Sequence, residues 1–283
     1  MGNYQSDQAE GLRRMLAGPK PRIYTFFSAT SDDEKCAMLV NLGASLAQGG
    51  SHVLMLDACT ASQGIALKMN ATKGASLLQV ARQERALDEV AQRMEQGFSV
   101  AAMMNSAQRR AGKAGEDAPR LANALGLLSM QADITVVDAE IGEAATFPIP
   151  SLVESEIVVQ VSPAPASITS AYSIIKRISA EVGRRPFSVL VTGASEKEAK
   201  TVYQNMAQAA NRYLAVKLNS MGSVPADEHT TRAARLGRTV VDAFPLAGAS
   251  VAFRRLAERF ALSDVPTRGE LQSLSAGNVH LGM

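Results

Sequence analysis

The chain has 283 residues, 46% of them hydrophobic, and a net charge of +2 at neutral pH. That apolar content buries one sizeable α/β core, though the length alone accommodates two; the small charge, 5% aromatic content and absence of Trp give no argument for nucleic acid. Two cysteines without a spaced framework, no apolar core in Met1–Leu16 and no run of ~20 apolar residues predict a cytoplasmic protein in a reducing compartment, without signal peptide or membrane span.

The first 21 residues form a helix sentence of their own. Ser6 can cap, Asp7 and Glu10 suit the positive end, Arg13 and Arg14 suit the negative end, and Gly18-Pro19 stops it. Ala9, Leu12, Met15 and Leu16 make one apolar stripe. A helix this short is marginal alone in water, so it needs a surface, either its own domain or a partner's groove.

From Arg22 to Cys59 the chain has the layout of an ATP-binding βαβ unit. An apolar run (Ile23–Phe27) leads through a polar turn into an amphipathic helix (Lys35–Ala47), and a second strand (Val53–Leu56) ends on Asp57. In a phosphate-binding loop, glycines let backbone N–H groups wrap the phosphates, a Lys reaches the β/γ-phosphates and a hydroxyl binds Mg²⁺. Here the turn has no glycine, Asp32, Asp33 and Glu34 stand where an anion would sit, and Cys36 replaces the hydroxyl; only Lys35 is in place. Two like charges about 4 Å apart repel by roughly 4 kcal/mol at an effective dielectric near 20. One such carboxylate facing a phosphate therefore weakens binding by about a thousandfold. The three acids suit the N-cap and first turn of a helix that has no nucleotide to cap it.

Further apolar runs follow at Phe98–Met103, Ile134–Val137, Glu156–Val161, Phe187–Val191 and Lys217–Val224. Helical periodicity fills Ser76–Val80, Leu87–Glu95, Ala118–Met130, Ala166–Val182, Glu196–Tyr213, Thr230–Leu236 and Ala249–Ala261. The alternation predicts a doubly wound, mostly parallel sheet with helices on both faces. Ala107–Pro119 is expected to be an exposed loop, and the tail 264–283 a loose polar segment. The domain organisation is therefore an N-terminal helix with linker (1–21), one α/β domain (22–263) and the tail. None of His52, His229 and His280 has an acid–base partner by spacing, and Ser28 and Ser62 lack a nucleophile-elbow context. Cys36 and Cys59 read as small buried thiols filling space rather than a metal or redox pair, and the arginines of 232–238 and 254–259 as solvated helical faces.

From Arg22 to about Ala261 the order of elements resembles the MinD/ParA-type deviant-Walker ATPases, and among them the flagellar-number regulators FlhG, also called FleN. Pro163–Ile178 and Gly222–Ala261 carry the specific likeness, and Asp7-Gln8-Ala9-Glu10-Gly11-Leu12-Arg13 resembles the DQAxxLR motif with which FlhG proteins stimulate the GTPase FlhF. The resemblance assigns the nucleotide site to Thr30, Lys35, Cys36, Asp57, Cys59, Asp138, Thr192, Pro225 and Asp227. It also exposes the departures: Thr30 stands for the lysine that crosses the dimer interface, Cys59 for the acid that orients the attacking water, and Thr192 for an adenine-side Asn. Asp138 keeps the Walker B-like acid, and Pro225 and Asp227 match the other adenine-side turn.

What the resemblance implies is a degenerate family member acting by protein contact, with no catalytic residues and no metal. Asp7, Gln8, Ala9, Leu12 and Arg13 would meet an FlhF-like GTPase, and a flagellar transcription activator is a second partner. ATP with Mg²⁺ is the cofactor only where a residual site persists, and a dimer is expected only where it forms without nucleotide. No basic amphipathic helix marks the tail, so membrane association is not expected; partners would bring the protein to the cell pole. The alternatives are an active ATPase using Lys35 and Asp138, or a MinD-like scaffold outside the flagellar system.

Overall fold

The computed structural model describes residues 21–61, 63–111, 117–142 and 146–262. Asp7, Gln8, Ala9, Leu12 and Arg13, Ser62 and the tail lie outside the described residues. Eight strands form one sheet in the order β3-β4-β2-β5-β1-β6-β7-β8: β1 Arg22–Ser28, β2 Val53–Asp57, β3 Gln92–Arg93, β4 Ser99–Ala102, β5 Ile134–Asp138, β6 Glu156–Val161, β7 Phe187–Thr192 and β8 Leu218–Val224. All neighbours pair parallel except β3 on β4. The helices are α1 Asp32–Gln48, α2 Ile65–Lys68, α3 Leu77–Ala81, α4 Ser106–Ala111, α5 Ala118–Ser129, α6 Pro165–Val182, α7 Glu196–Leu214, α8 Glu228–Arg235, α9 Val240–Ala243 and α10 Gly248–Leu262.

The period of two along β1 divides the core. Tyr24 and Phe26 join Leu39 and Leu42 of α1 and Phe253 and Phe260 of α10 in one layer, while Phe27 joins Leu121, Ile175 and Val202 of α5, α6 and α7 in the other. The aromatic centre of the first layer is Phe260, with its ring 4.5 Å from Tyr24 and 5.8 Å from Phe26. Tyr24 Oη donates to the Phe260 carbonyl at 3.0 Å, and Arg22 donates to the same carbonyl and to that of Ala261. The sheet's central strand thus caps the last turn of the last helix.

Serine capping boxes start α1 (Ser31 with Glu34), α3 (Ser76 with Gln79) and α7 (Ser195 with Glu198). Two expectations are corrected. Leu87–Glu95 is not a helix: a 3₁₀ turn at Leu87–Glu89 passes into β3, because Gly97, at φ 95°, folds β3 back onto β4. Ala107–Pro119 is not all loop: its first part is helical in α4, where the Asn105 side chain caps the Gln108 N–H at 2.9 Å.

Phe260→Ala removes a ring that packs on two strand aromatics and is expected to cost about 3–5 kcal/mol, as Phe truncations in close-packed cores do. Urea unfolding of the full chain checks this.

Candidate functional site

The site lies at the C-terminal ends of β1, β2 and β5, where parallel sheets place ligand crevices. β2 and β5 pair in register so that Asp57 stands beside Asp138. Both are buried, at 0% and 1% exposure. Each carboxylate has a cation from a different helix. Lys35 of α1 reaches Asp138 Oδ1 at 2.8 Å, and Arg109 of α4 reaches Asp57 Oδ1 at 2.9 Å. The remaining oxygens accept from the start of α2: Ile65 N–H to Asp138 Oδ2 at 2.8 Å and Ala66 N–H to Asp57 Oδ2 at 3.0 Å. Gly64 is required there, since a Cβ would fall 2.1 Å from Asp57 Oδ1.

Burial disfavours the ammonium of Lys35, but Asp138 with lesser help from Cys59 and Asp32 more than offsets it, and holds the pKa above the ordinary lysine value. Burial raises the Asp57 carboxyl above its ordinary value, against the pull of Arg109. Lys35 Nζ also lies 3.5 Å from Cys59 Sγ. Cys59 is fully buried, whereas Cys36 is only partly so, which corrects the expectation of two buried thiols. Burial first, and the Asp138 charge second, push the Cys36 thiol up to about 11.

The acids of the turn are all engaged within the fold. Glu34 accepts from the Ser31 N–H and Oγ at 3.1 Å each, Asp32 from the Gln63 N–H at 3.3 Å, and Asp33 pairs with Lys68 at 2.6 Å. The positive end of α1 is therefore capped by carboxylates of its own first turn. Thr30 turns back onto Ser28 at 2.9 Å, Ser28 donates to Gln160, and Gln160 donates to Thr192 at 3.1 Å. One hydrogen-bonded row thus joins Thr30 to Thr192.

Asp227 and Pro225 stand apart from this cluster. Asp227 caps α8 through the His229 N–H at 2.9 Å and α10 through the Ala249 N–H at 2.9 Å. Burial would raise its carboxyl, but those two N–H groups and the His229 ring outweigh it and hold the pKa below the usual carboxylate value. His229 Nδ1 lies 2.8 Å from Asp227, so this histidine does have an acidic partner.

Sequence reasoning missed Arg109, Glu140 and Gly64. Glu140 Oε1 accepts from Thr60 N–H, Thr60 Oγ1 and Ala61 N–H, all at 2.5 Å, fastening the turn after β2 to the one after β5. The one available signal was that a strand-terminal acid pair buried side by side needs two cations, while α1 supplies one.

Asp57, Cys59 and Asp138 bring ligand atoms within 4.8 Å of one another. The set does not fit Mg²⁺, which takes near-octahedral oxygen ligands. One donor is a thiol, and both carboxylates already hold cationic side chains.

Lys35→Met is expected to cost about 3–5 kcal/mol, because it leaves the buried Asp138 without its counter-charge, and the double change with Asp138→Leu should recover most of that loss. Denaturant unfolding of the nucleotide-free protein reads both. A lysine serving only a phosphate would show almost no change. Alkylation of Cys36 supplies a pH test. A thiol held up at about 11 carries roughly 300-fold less thiolate at pH 7.5 than a free cysteine near 8.5. Its iodoacetamide rate should stay low and climb about tenfold per pH unit up to that value.

No family model matches the chain. It is 27% identical over 241 residues to the antiactivator FleN of Pseudomonas aeruginosa, covering 84% of this chain and 86% of that protein. Among solved structures, the MinD cell division protein of Aquifex aeolicus superposes with a TM-score of 0.62 at 15% identity, covering 87% of this chain and 99% of that one. MinD of Pyrococcus horikoshii, solved with Mg-ADP, gives 0.63 at 15% identity over 92% and 99%. The chain has the α/β fold of the MinD/ParA ATPases and resembles FleN over most of its length.

Proposed function

We propose that this chain is a FleN-like regulator in flagellar control, acting by protein contact and not by nucleotide turnover. The observation that carries the reading is the Lys35–Asp138 ion pair at 2.8 Å, set behind a glycine-free turn whose acids already cap α1. A triphosphate entering this cradle has to draw Lys35 off Asp138. Breaking a buried pair costs about 3–5 kcal/mol, which lowers affinity by roughly 10²- to 4 × 10³-fold. The phosphate also has to displace Glu34 from the helix N-terminus, and the family's Mg²⁺ hydroxyl is here the Cys36 thiol.

Similarity to an antiactivator supports restraint of a flagellar transcription activator as one activity. The Asp7–Arg13 motif supports a second, in which Leu12 and Ala9 anchor a helix on an FlhF-like GTPase and Gln8 or Arg13 orders its catalytic centre.

Calorimetry with ATP and Mg²⁺ is expected to give a Kd weaker than about 1 mM; micromolar binding would overturn the degenerate site and favour an active ATPase using Lys35 and Asp138. A peptide of residues 1–20 is expected to accelerate the GTPase of the FlhF-like partner, and the claim falls if neither peptide nor full chain does.

A further inference from the structure

Among the described residues, β8 is an edge strand of the sheet, three strands away from β1 and flanked by α7 and α10. In a parallel ladder, successive residues of a strand turn both backbone groups alternately toward one neighbour and the other. Phe187 N–H donates to the Lys217 carbonyl and Gly193 N–H to the Val224 carbonyl, each crossing between β7 and the β8 segment. A register shift between Val189 and Leu190 separates them, with Ser220 opposite Val189 and Gly222 opposite Leu190. Counting inward from each bond, Leu218 and Ser220 face outward before the bulge and Ser223 after it.

One bond agrees with that count: Tyr203 Oη of α7 donates to the Leu218 carbonyl at 2.9 Å. Arg259 of α10 donates to the carbonyl of Met221, the residue left over at the register shift, at 3.0 Å. The second needs Gly222, at φ 125°, since a Cβ there would meet Arg259 Nη1 at 3.2 Å and Leu256 at 3.1 Å. Side chains thus guard two edge carbonyls, as edge strands generally require. Ser220 and Ser223 instead line a groove of about 510 Å³. Ala199 of α7 and Val251, Ala252 and Leu256 of α10 give it apolar lining. Its charged groups are Lys200, Arg255 and Arg259 against the single acid Glu196.

We propose that this groove takes an extended, carboxylate-bearing segment of a partner protein, which adds to β8 through the backbone of Ser220 and Ser223. The main-chain edge supplies the pairing, the apolar lining accepts alternate side chains, and the excess of basic groups selects acidic ones. The groove contains none of Lys35, Asp57 and Asp138, and shares only Pro225 with the residues assigned to the nucleotide site.

The test uses the full chain with a seven-residue peptide alternating valine and aspartate, and a control alternating valine and lysine. Calorimetry is expected to show the aspartate peptide binding at least tenfold tighter. Ser220→Pro removes the outward N–H at an edge position that tolerates proline, and Arg255→Glu reverses a groove charge; each should weaken binding at least tenfold. An aspartate peptide N-methylated at alternate residues, tested on the unaltered protein, should lose binding by the same factor, so the pairing claim does not depend on how Ser220→Pro folds. Equal binding of the two peptides, undiminished binding of the N-methylated one, or no binding at millimolar concentration overturns the proposal.

Discussion

Asp57 and Asp138 end two hydrogen-bonded parallel strands in the same register, and both are buried. Adjacent strands lie ~4.8 Å apart, so two ionised carboxylates there repel by roughly 3–4 kcal/mol at an effective dielectric near 20. Something has to supply positive charge at that spot. Lys35 and Arg109 supply it with side chains. Much of the local architecture around the crevice follows from those two pairs.

Arg109 has to come from a helix where composition suggested an open loop, which is why the first part of Ala107–Pro119 is ordered as α4. The carboxylate oxygens not held by cations accept the first N–H groups of α2, so a four-residue helix that would not stand alone is tied down at its start. Gly64 leaves the room for that approach. On the other side, the acids of the α1 turn serve the helix dipole and the neighbouring Lys68 and Gln63. The crevice is thus balanced without a ligand, whereas an anion-binding loop is short of negative charge until its ligand arrives.

Strands β1, β2, β4, β5, β6 and β7 were legible as compact, mostly apolar runs, and α1, α5, α6 and α7 because their starts carry Ser-x-x-Glu pairs or a proline in the first turn. Burial of β2 and β5 on both faces matched their unbroken hydrophobicity. What failed were elements defined by long-range contact. The segment Leu87–Glu95 has helical spacing, yet Gly97 and the edge of β4 pull it into a hairpin. At the site, the departure of Asp32, Asp33, Glu34 and Cys36 from a phosphate-binding loop was visible in the sequence. The pairing of Arg109 with Asp57 was not, because it joins residues 52 apart and has no local pattern. Thr30 and Thr192 were chosen as separate stand-ins, and only the fold shows Gln160 linking them into one row.

On the proposed reading, in which the protein acts by contact with partners, the two ends of the sheet differ in how they could meet one. β3 is two residues long and antiparallel, too short to template another strand. β8 is seven residues long, and among the described residues its guards are side chains of α7 and α10. Tyr203 holds the Leu218 carbonyl and Arg259 the Met221 carbonyl, and Ser220 and Ser223 line the groove beside them. Side-chain guards suppress indiscriminate pairing while remaining displaceable by a segment that offers Arg259 a carboxylate in place of the Met221 carbonyl. The guanidinium–carboxylate bond is ionised at both ends, whereas the guanidinium–carbonyl bond it replaces is ionised only at its donor, so the chemistry that protects the edge also favours an acidic partner.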